Sequence, residues 1–398
     1  MAHTTTLQIK PHFTSKYKEG YPLLNGDNIL DINNIKTEGT IIKLIDLKKK
    51  FIAKGYFGKQ NKGLGWVLSY KENEKFDKEF FKTKIELALK KRKPFFDSPD
   101  TTAFRVFNGT GDDIGGLTID YYDGFYCITW YSLGIYTFKE AIIEALKEAT
   151  EYKGIYQKKR FADNGQYLED KDFICGEIAP EPLIIKENGV NFAIYLDDGP
   201  MVGVFLDQKD VRKTIQDKYA KGKTVLNTFS YTGAFSVYAA LGGAKKTTSV
   251  DLANRSLSKT QEQFTINNID PETQEIIVQD VFEYFKYAVR KGFKFDIVIA
   301  DPPSFARSKK ITFSVSKDYT NLLEQLIAIT NKNGVIVAST NYANLSIVRF
   351  KEFIDKAFKR MKCSYKIEET FHLPKDFAVS DRFYEDDYLK VVFIRKLS

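Results

Sequence analysis

The spacing of apolar and polar positions divides the chain into three parts. Over roughly the first seventy residues, short runs at 40–44, 50–58 and 65–69 alternate at the period of a half-exposed strand. Turn clusters such as Leu24-Asn25-Gly26-Asp27 and Lys62-Gly63-Leu64-Gly65 separate them, which predicts a small β module over 1–72. The start, Met1 to Thr6, shows no periodicity and reads as unstructured. A helix over 78–93, stopped by Pro94, opens a second part, 73–187, of α+β character. There Phe104 to Phe107 and Tyr126 to Tyr131 read as strands and Phe138 to Ala149 as an amphipathic helix. The third part, 188–398, alternates strand and helix to its end.

That alternation begins with Tyr195 to Pro200, which is turn-like, and with Val204 to Arg212, which enters a helix capped by Asp207. A buried strand follows at 224–228, then a tight turn at Gly233, an apolar helix, and a strand closing on Val250-Asp251. Helices are predicted at 254–267, 281–290, 318–330 and 346–360, and strands at 276–279, 295–300 and 335–339. The final strand pair, 365–371 and 388–394, has no crossover helix between its members and must run antiparallel at one sheet edge. This is a doubly wound α/β sheet, a fold whose ligands sit at the carboxyl ends of the strands.

Composition narrows the chemistry. With 398 residues and 43% of them hydrophobic, the chain can bury several cores. Its formal net charge of +8 suits a polyanionic partner. Lysines interleave with aromatics (Lys16, Tyr17, Lys18; Lys54, Tyr56, Phe57, Lys59), a mixture that suits RNA and equally suits a solvated surface over an aromatic core. Lys90-Lys91-Arg92-Lys93 ends a helix, where cations are favoured by the dipole, and can also contact RNA. Cys127, Cys175 and Cys363 lack metal spacing, and His3, His12 and His372 complete no catalytic or metal set. Cys127 lies in an apolar strand and reads as a core thiol. Gly111 to Leu117 is glycine-rich but lacks the Lys-Ser/Thr of a P-loop, so its glycines are assigned to a tight turn. No signal peptide or membrane-length apolar segment is present, and a cytoplasmic setting is expected.

Four points at successive strand ends converge on one crevice. The turn Phe229-Ser230-Tyr231-Thr232-Gly233 lets a backbone approach the amino-acid portion of a cofactor. Asp251 suits a ribose diol, and Asp280 an exocyclic amine such as adenine N6, although taken alone Asp280 is better explained as a helix cap. Asp301-Pro302-Pro303-Ser304-Phe305 forms a rigid loop whose carbonyls can hold a planar base while Phe305 stacks on it. The set in this order points to a nucleoside-containing cofactor.

The Asp301-Pro302-Pro303-Ser304-Phe305 loop, together with Asn227 to Gly233, resembles the class I S-adenosylmethionine-dependent methyltransferases of bacterial 23S ribosomal RNA. The first seventy residues resemble that family's PUA-type RNA-binding module, Phe104 to Asp120 its central domain and Phe205-Leu206-Asp207-Gln208 its pre-sheet motif. The resemblance implies a PUA-like β-barrel, a central α+β domain and a Rossmann-like class I methyltransferase sheet with a C-terminal antiparallel hairpin. It also implies a crevice for S-adenosyl-L-methionine lined by Gln208, Phe229, Ser230, Thr232, Gly233, Asp251, Leu252, Asp280, Val281 and Asp301. The implied partner is 23S ribosomal RNA or a large-subunit precursor, with no membrane; monomer and homodimer both stay open.

One branch of the family methylates cytosine C5 through a cysteine thiolate added to C6. Here the corresponding loops read Ala338-Ser339-Thr340-Asn341-Tyr342 and Asp301 to Phe305, and neither contains cysteine. Ser339-Thr340-Asn341 and Leu373-Pro374-Lys375-Asp376-Phe377-Ala378 resemble instead the branch that makes 7-methylguanosine. Guanine N7 has an in-plane lone pair, so placement alone suffices, with Asp301, Pro302, Pro303, Phe305 and Asn341 shaping the reaction site. Asn341 as base contact and as turn residue weigh about equally. Arg212, Arg307, Lys309 and Lys310 are expected at the cleft mouth, facing RNA phosphates. The competing expectations are cytosine-C5 methylation by a cysteine from elsewhere, and a non-catalytic RNA-binding or ribosome assembly factor.

Overall fold

The computed structural model describes residues 4–32, 35, 37–60, 63–163, 166–167, 172–199, 201–307 and 312–398, with backbone alone for 162–163, 166–167 and 306–307. The chain forms two compact units, one of residues 1–185, 194–202 and 375–386, the other of residues 186–193, 203–374 and 387–398.

The buried run Thr224–Thr228 (β1) lies in the middle of the second unit's sheet, with Lys246–Asp251 (β2) and Glu275–Val278 (β3) on one side. Phe295–Ala300 (β4) and Thr330–Thr340 (β5) lie on the other, followed by Lys390–Lys396 (β7) and Tyr365–Phe371 (β6) at the edge. The order is therefore β3-β2-β1-β4-β5-β7-β6. Strands β1 to β5 pair in parallel, and β7 pairs antiparallel with both β5 and β6, giving the expected edge hairpin. Parallel strands covered on both faces are apolar throughout. In β4 and β5, Val298 and Ile336 pack with the helices Val281–Lys291, Val315–Ile329 and Ile347–Arg360, while Ile297, Ile299, Val335 and Val337 pack with Val211 and Phe235 on the opposite face. Each such fully buried aliphatic side chain contributes roughly 1.5–3 kcal/mol.

In the first unit, Thr4–Gln8 pairs in parallel with Ile41–Ile45, and Phe51–Gln60 and Gly63–Ser69 complete a four-stranded sheet. Thr4 to Thr6 thus belong to a strand rather than to an unstructured start, and Met1 to His3 lie outside the described residues. The strand's polar sequence buries only Leu7, and the ladder hydrogen bonds rather than apolar periodicity define it. A five-stranded sheet runs in the order Phe173–Gly176, Gly154–Lys159, Phe125–Trp130, Leu117–Tyr122, Ala103–Asn108. One core joins residues of the β module (Leu44, Tyr56, Trp66), the helix (Phe81, Ile85) and the central sheet (Phe104, Trp130).

The helix runs from Lys78 to Phe96 and so passes through Pro94 instead of stopping before it. Pro94 removes a single helical donor in the last turn, a loss the end of a helix tolerates. Three of the four cations of the basic cluster at this end pair within the fold. Arg92 is buried and makes a bidentate ion pair with Asp112 (2.7 and 2.6 Å), Lys91 reaches the same carboxylate at 2.9 Å, and Lys93 pairs with Asp97 at 2.7 Å. Arg92 also donates to the carbonyl of Asp376 at 2.7 Å, and Arg105 N–H donates to the Asp376 carboxylate at 2.9 Å. Segment 375–386, inserted between β6 and β7, is thereby fastened into the first unit. The glycine-rich turn serves close approach: a Cβ on Gly111 would stand 1.9 Å from the Ala378 carbonyl oxygen. Cys127 is a core thiol, and burial pushes its pKa up to about 12.

Candidate active site

The turn after β1 is held open from behind. Asn227 Nδ2 donates to Ser236 Oγ (3.1 Å), which lies 2.7 Å from Ser249 Oγ, and Thr228 Oγ1 donates to the Ile299 carbonyl (2.8 Å). These bonds tie the helix Ala234–Leu241 to β1 and β2 and fix where the turn emerges. Phe229, Tyr231 and Gly233 all have positive φ (56°, 52° and 78°), alternating with Ser230 and Thr232. Two non-glycine residues in this region cost on the order of 1 kcal/mol each and persist only where the surroundings enforce them. Asp251 does so: its Oδ2 accepts from Tyr231 N–H at 2.8 Å and its Oδ1 from Ala253 N–H at 2.9 Å. Each carboxylate oxygen retains acceptor capacity for a diol.

Asp280 is the N-cap of the helix Val281–Lys291, its Oδ1 accepting from Phe282 and Glu283 N–H at 2.9 and 3.3 Å. Oδ2 has no partner among the described residues. The capping role thus occupies Oδ1 and leaves Oδ2 open. Val281 is buried in the core and can offer a ligand only its N–H, one of the orphan donors of a helix start. Leu252, beside Asp251, is 56% exposed and presents an apolar face suited to a purine.

Beyond β4, Asp301 sits half-buried with Pro302 beneath it, while Pro303 and Phe305 face outward, Phe305 at 62% exposure. Phe305–Arg307 pairs with Thr312–Ser314 as a short antiparallel ribbon, anchored where Phe313 packs 5.6 Å from Phe282. Burial pushes the Asp301 carboxyl up to about 6, with the nearby charge of Asp207 adding and hydrogen bonds from Ser339 and Gln208 opposing. Ser339 Oγ accepts from Gln208 Nε2 at 2.8 Å, and the Ser339 carbonyl accepts from Tyr319 hydroxyl at 2.5 Å. Ser304 Oγ donates to Asn341 Oδ1 at 2.6 Å, joining the loop after β4 to the loop after β5.

Two expectations for this region change. Asp207 caps no helix; the cap positions are Phe205 and Gln208, neither with a side-chain bond to the helix start, and Asp207 instead accepts from Tyr388 hydroxyl at 2.9 Å. Arg212 does not face RNA phosphates. It is 2% exposed and doubly paired with Glu187, because a guanidinium enclosed by apolar neighbours needs a carboxylate inside with it. Lys309 and Lys310 lie outside the described residues, and Arg307 is described in its backbone alone. Ser304, Ser339 and Tyr319 were not foreseen as site residues; for Ser304 the signal was its place directly after the two prolines.

The crevice fits adenosylmethionine on its own geometry. Gln208 is 2% exposed, and its Oε1 has no hydrogen-bond partner among the described residues. A buried acceptor left open is costly unless a ligand donor completes it, and the α-ammonium of the methionine moiety is such a donor. No group of three or more metal-ligating side chains occurs among the described residues, and none of their helices is long and apolar enough to cross a membrane.

Comparison with known proteins agrees with this geometry. The family described as S-adenosylmethionine-dependent methyltransferase matches residues 104–384, and a PUA-like domain matches residues 7–70. The chain belongs to the S-adenosylmethionine-dependent methyltransferase family. This methyltransferase is 54% identical, over 98% of its length and 99% of the relative's, to the Bacillus subtilis protein named "Putative ribosomal RNA large subunit methyltransferase YwbD". It is 29% identical to "Ribosomal RNA large subunit methyltransferase I" of Aliivibrio fischeri, over 88% of its length and 89% of the relative's. Among solved structures, SMU.776 complexed with SAH superposes with a TM-score of 0.91 at 40% identity, covering 99% of this chain and all of that one (100%).

Proposed function

We propose that the methyltransferase acts on large-subunit ribosomal RNA in the cytoplasm and methylates guanine N7 by direct in-line transfer. The observation that carries the choice of base is the absence of a thiol from the site: the residue after the prolines is Ser304, and the loop after β5 supplies Asn341. In the same unit, Cys363 precedes β6, at the end of the sheet opposite the site. Methylation at a pyrimidine C5 needs a thiolate to activate the ring, whereas N7 already carries its nucleophilic lone pair.

In this reading Phe229 to Gly233 and the open acceptor of Gln208 hold the methionine end of the cofactor. Asp251 takes the ribose hydroxyls, and Leu252, Asp280 Oδ2 and Val281 N–H hold the adenine. When bound, adenosylmethionine supplies a methyl group made electrophilic by its sulfonium. Asp301 and the loop carbonyls position the base, Phe305 covers its face and excludes water, and Asn341 meets its edge. Catalysis is then placement, which can contribute several kcal/mol without any acid or base. The basic charge of the chain and its PUA-like module support RNA as the substrate class, as do the names of its relatives.

The test is mass spectrometry of nucleosides and mapped fragments of 23S ribosomal RNA from a strain lacking the gene. One 7-methylguanosine should disappear and return on complementation. An unchanged 7-methylguanosine content would overturn the assignment of the base, and unchanged methylation throughout would overturn the RNA substrate.

A further inference from the structure

The segment 203–208 leads into the helix Lys209–Thr214 with little regular structure of its own: a three-residue 3₁₀ turn, Leu206–Gln208, without a side-chain cap. Bonds to other elements set its course. At one end the Gly203 carbonyl accepts from Thr232 Oγ1 at 2.7 Å, and the Phe205 ring lies 5.3 Å from that of Tyr231, which ties this end to the turn after β1. At the other end Gln208 bonds Ser339 Oγ at 2.8 Å, and Asp207 Oδ2 accepts from Tyr388 hydroxyl at 2.9 Å. These two bonds tie it to β5 and to the lead-in of β7. Strand β4 lies between β1 and β5, so the segment bridges the end of β4 from which Asp301 emerges. Tyr388 is a firm post for this end. Its ring packs against the core that includes Val211, Leu389 and Val391, and two residues on, Lys390 pairs with Thr340 in the ladder of β5 and β7. An ionised carboxylate only accepts, so the hydroxyl of Tyr388 is the donor.

We infer that Tyr388 is a positioning residue for the methyl donor: its bond to Asp207 seats the segment 203–208, and with it Gln208, at the methionine end of the cofactor. The inference rests on the proposed contact between Gln208 and that end. The Gln208 amide commits one group to Ser339 and keeps the other for a ligand, and its neighbour in the chain is the residue that Tyr388 holds. A short turn with no cap has no backbone ladder to keep it in place once Asp207 is released. Hydrogen bonds weaken steeply when their geometry slips, so a displaced Gln208 binds the ligand less tightly. The methionine end lies away from the methyl group in flight and is bound alike in the ground and transition states. Losing that contact therefore raises KM for the cofactor and spares kcat.

The experiment uses the full-length enzyme, with calorimetric titration of S-adenosylhomocysteine and methyl transfer to 23S ribosomal RNA from a strain lacking the gene at varied S-adenosylmethionine. Tyr388→Phe keeps the ring and removes the hydroxyl. It is expected to weaken S-adenosylhomocysteine binding and to raise KM for S-adenosylmethionine about tenfold, with kcat at saturation within about twofold of wild type. Asp207→Ala should match it, and the double variant should bind no more weakly than either single one, because both remove the same bond. Asp207→Asn bonds the hydroxyl in either orientation of its amide, and should bind within about threefold of wild type. Melts without ligand should stay close to wild type for Tyr388→Phe, which separates positioning from a fold defect. Wild-type affinity in Tyr388→Phe beside weakened binding in Gln208→Ala would overturn this inference and leave the Gln208 contact standing. Wild-type affinity in Gln208→Ala would overturn that contact and the inference with it. A loss in Tyr388→Phe confined to kcat, or one that Asp207→Asn shares in full, would also overturn the inference.

Discussion

Arg212 and Glu187 face each other inside the methyltransferase unit as a bidentate pair, with Nε and Nη2 at 2.8 and 2.7 Å from the two carboxylate oxygens and exposures of 2% and 0%. A third donor bond from Arg212 reaches the Phe205 carbonyl at 2.7 Å, and Tyr238 hydroxyl donates to the Glu187 carbonyl at 2.6 Å. Arg212 Nε and Nη2 and both Glu187 carboxylate oxygens are matched, and such pairing is the condition under which a buried charge pair is tolerated. The pair fastens 186–193 to the helix that leads into the β1 strand.

The first prediction follows from that enclosure. Arg212→Ala strands the Glu187 carboxylate in an apolar surround and should cost about 3–5 kcal/mol of stability. Denaturant titration of the full chain measures it. The salt dependence of RNA binding should keep the wild-type slope, since a side chain with no access to phosphate releases no counterion. A slope reduced by about one, with little loss of stability, would return Arg212 to the RNA-facing surface.

Asp301 gives a pH prediction. Its carboxyl ordinarily titrates at 3.8 and is pushed up to about 6, first by burial and then by the charge of Asp207, against the hydrogen bonds from Ser339 and Gln208. The folded protein therefore holds this proton more tightly than the unfolded chain does. The resulting stabilisation is full below pH 3.8 and is lost as the pH rises through about 6. Asp301→Asn removes the ionisation penalty and should raise stability by about 1–3 kcal/mol at neutral pH, the gain shrinking towards pH 4. Thermal melts of both proteins across that range check the sign. Methyl transfer by the wild-type enzyme should in turn fall as the pH drops through about 6, where Asp301 loses acceptor capacity.

How much of this was legible in the sequence depends on what holds each element. Phe295 to Ala300 announces itself because a central parallel strand is apolar on both faces. Thr4–Gln8 and Leu117–Tyr122 do not, the first because pairing rather than burial defines it, the second because glycines crowd its start. Strand β5 begins at Thr330, five residues before its apolar run, through Asn331-Lys332-Asn333-Gly334, which reads as a turn. The strand-end positions of Phe229 to Gly233, Asp251, Asp280 and Asp301 were readable because strands and helices alternate in a fixed order. Arg212 was not, because its partner Glu187 lies in a separate hairpin 25 residues away, and a lone charge says nothing about whether it is buried. The link between Ser304 and Asn341 spans 37 residues and is a product of the sheet order alone.

The cysteines provide a third test. If the reaction needs no covalent base adduct, Cys127→Ala, Cys175→Ser and Cys363→Ser should each retain about half or more of wild-type kcat, because no thiolate takes part. Cys127→Ala removes a buried side chain, and its cost should appear in stability instead, on the order of 1 kcal/mol. Methylation assays on 23S ribosomal RNA with each variant measure the outcome. Loss of turnover in a stably folded cysteine variant would revive pyrimidine C5 as the target.

Asp280 separates a structural role from a cofactor role within one side chain. Its Oδ1 caps the helix through Phe282 and Glu283 N–H, and its Oδ2 is the oxygen left for an exocyclic amine. Asparagine caps a helix about as well as aspartate, so Asp280→Asn should change stability by less than about 0.5 kcal/mol. It turns the second position from an acceptor into a donor, which would meet the adenine N6 amine donor to donor. Affinity for S-adenosylhomocysteine should then fall by about tenfold or more, with RNA binding unaffected. Asp280→Ala loses the cap as well, and should add about 1 kcal/mol of destabilisation to a similar loss of affinity. Calorimetric titration beside thermal melts distinguishes the cases. A variant Asp280→Asn that binds S-adenosylhomocysteine as tightly as the wild type would leave this carboxylate a helix cap and nothing more.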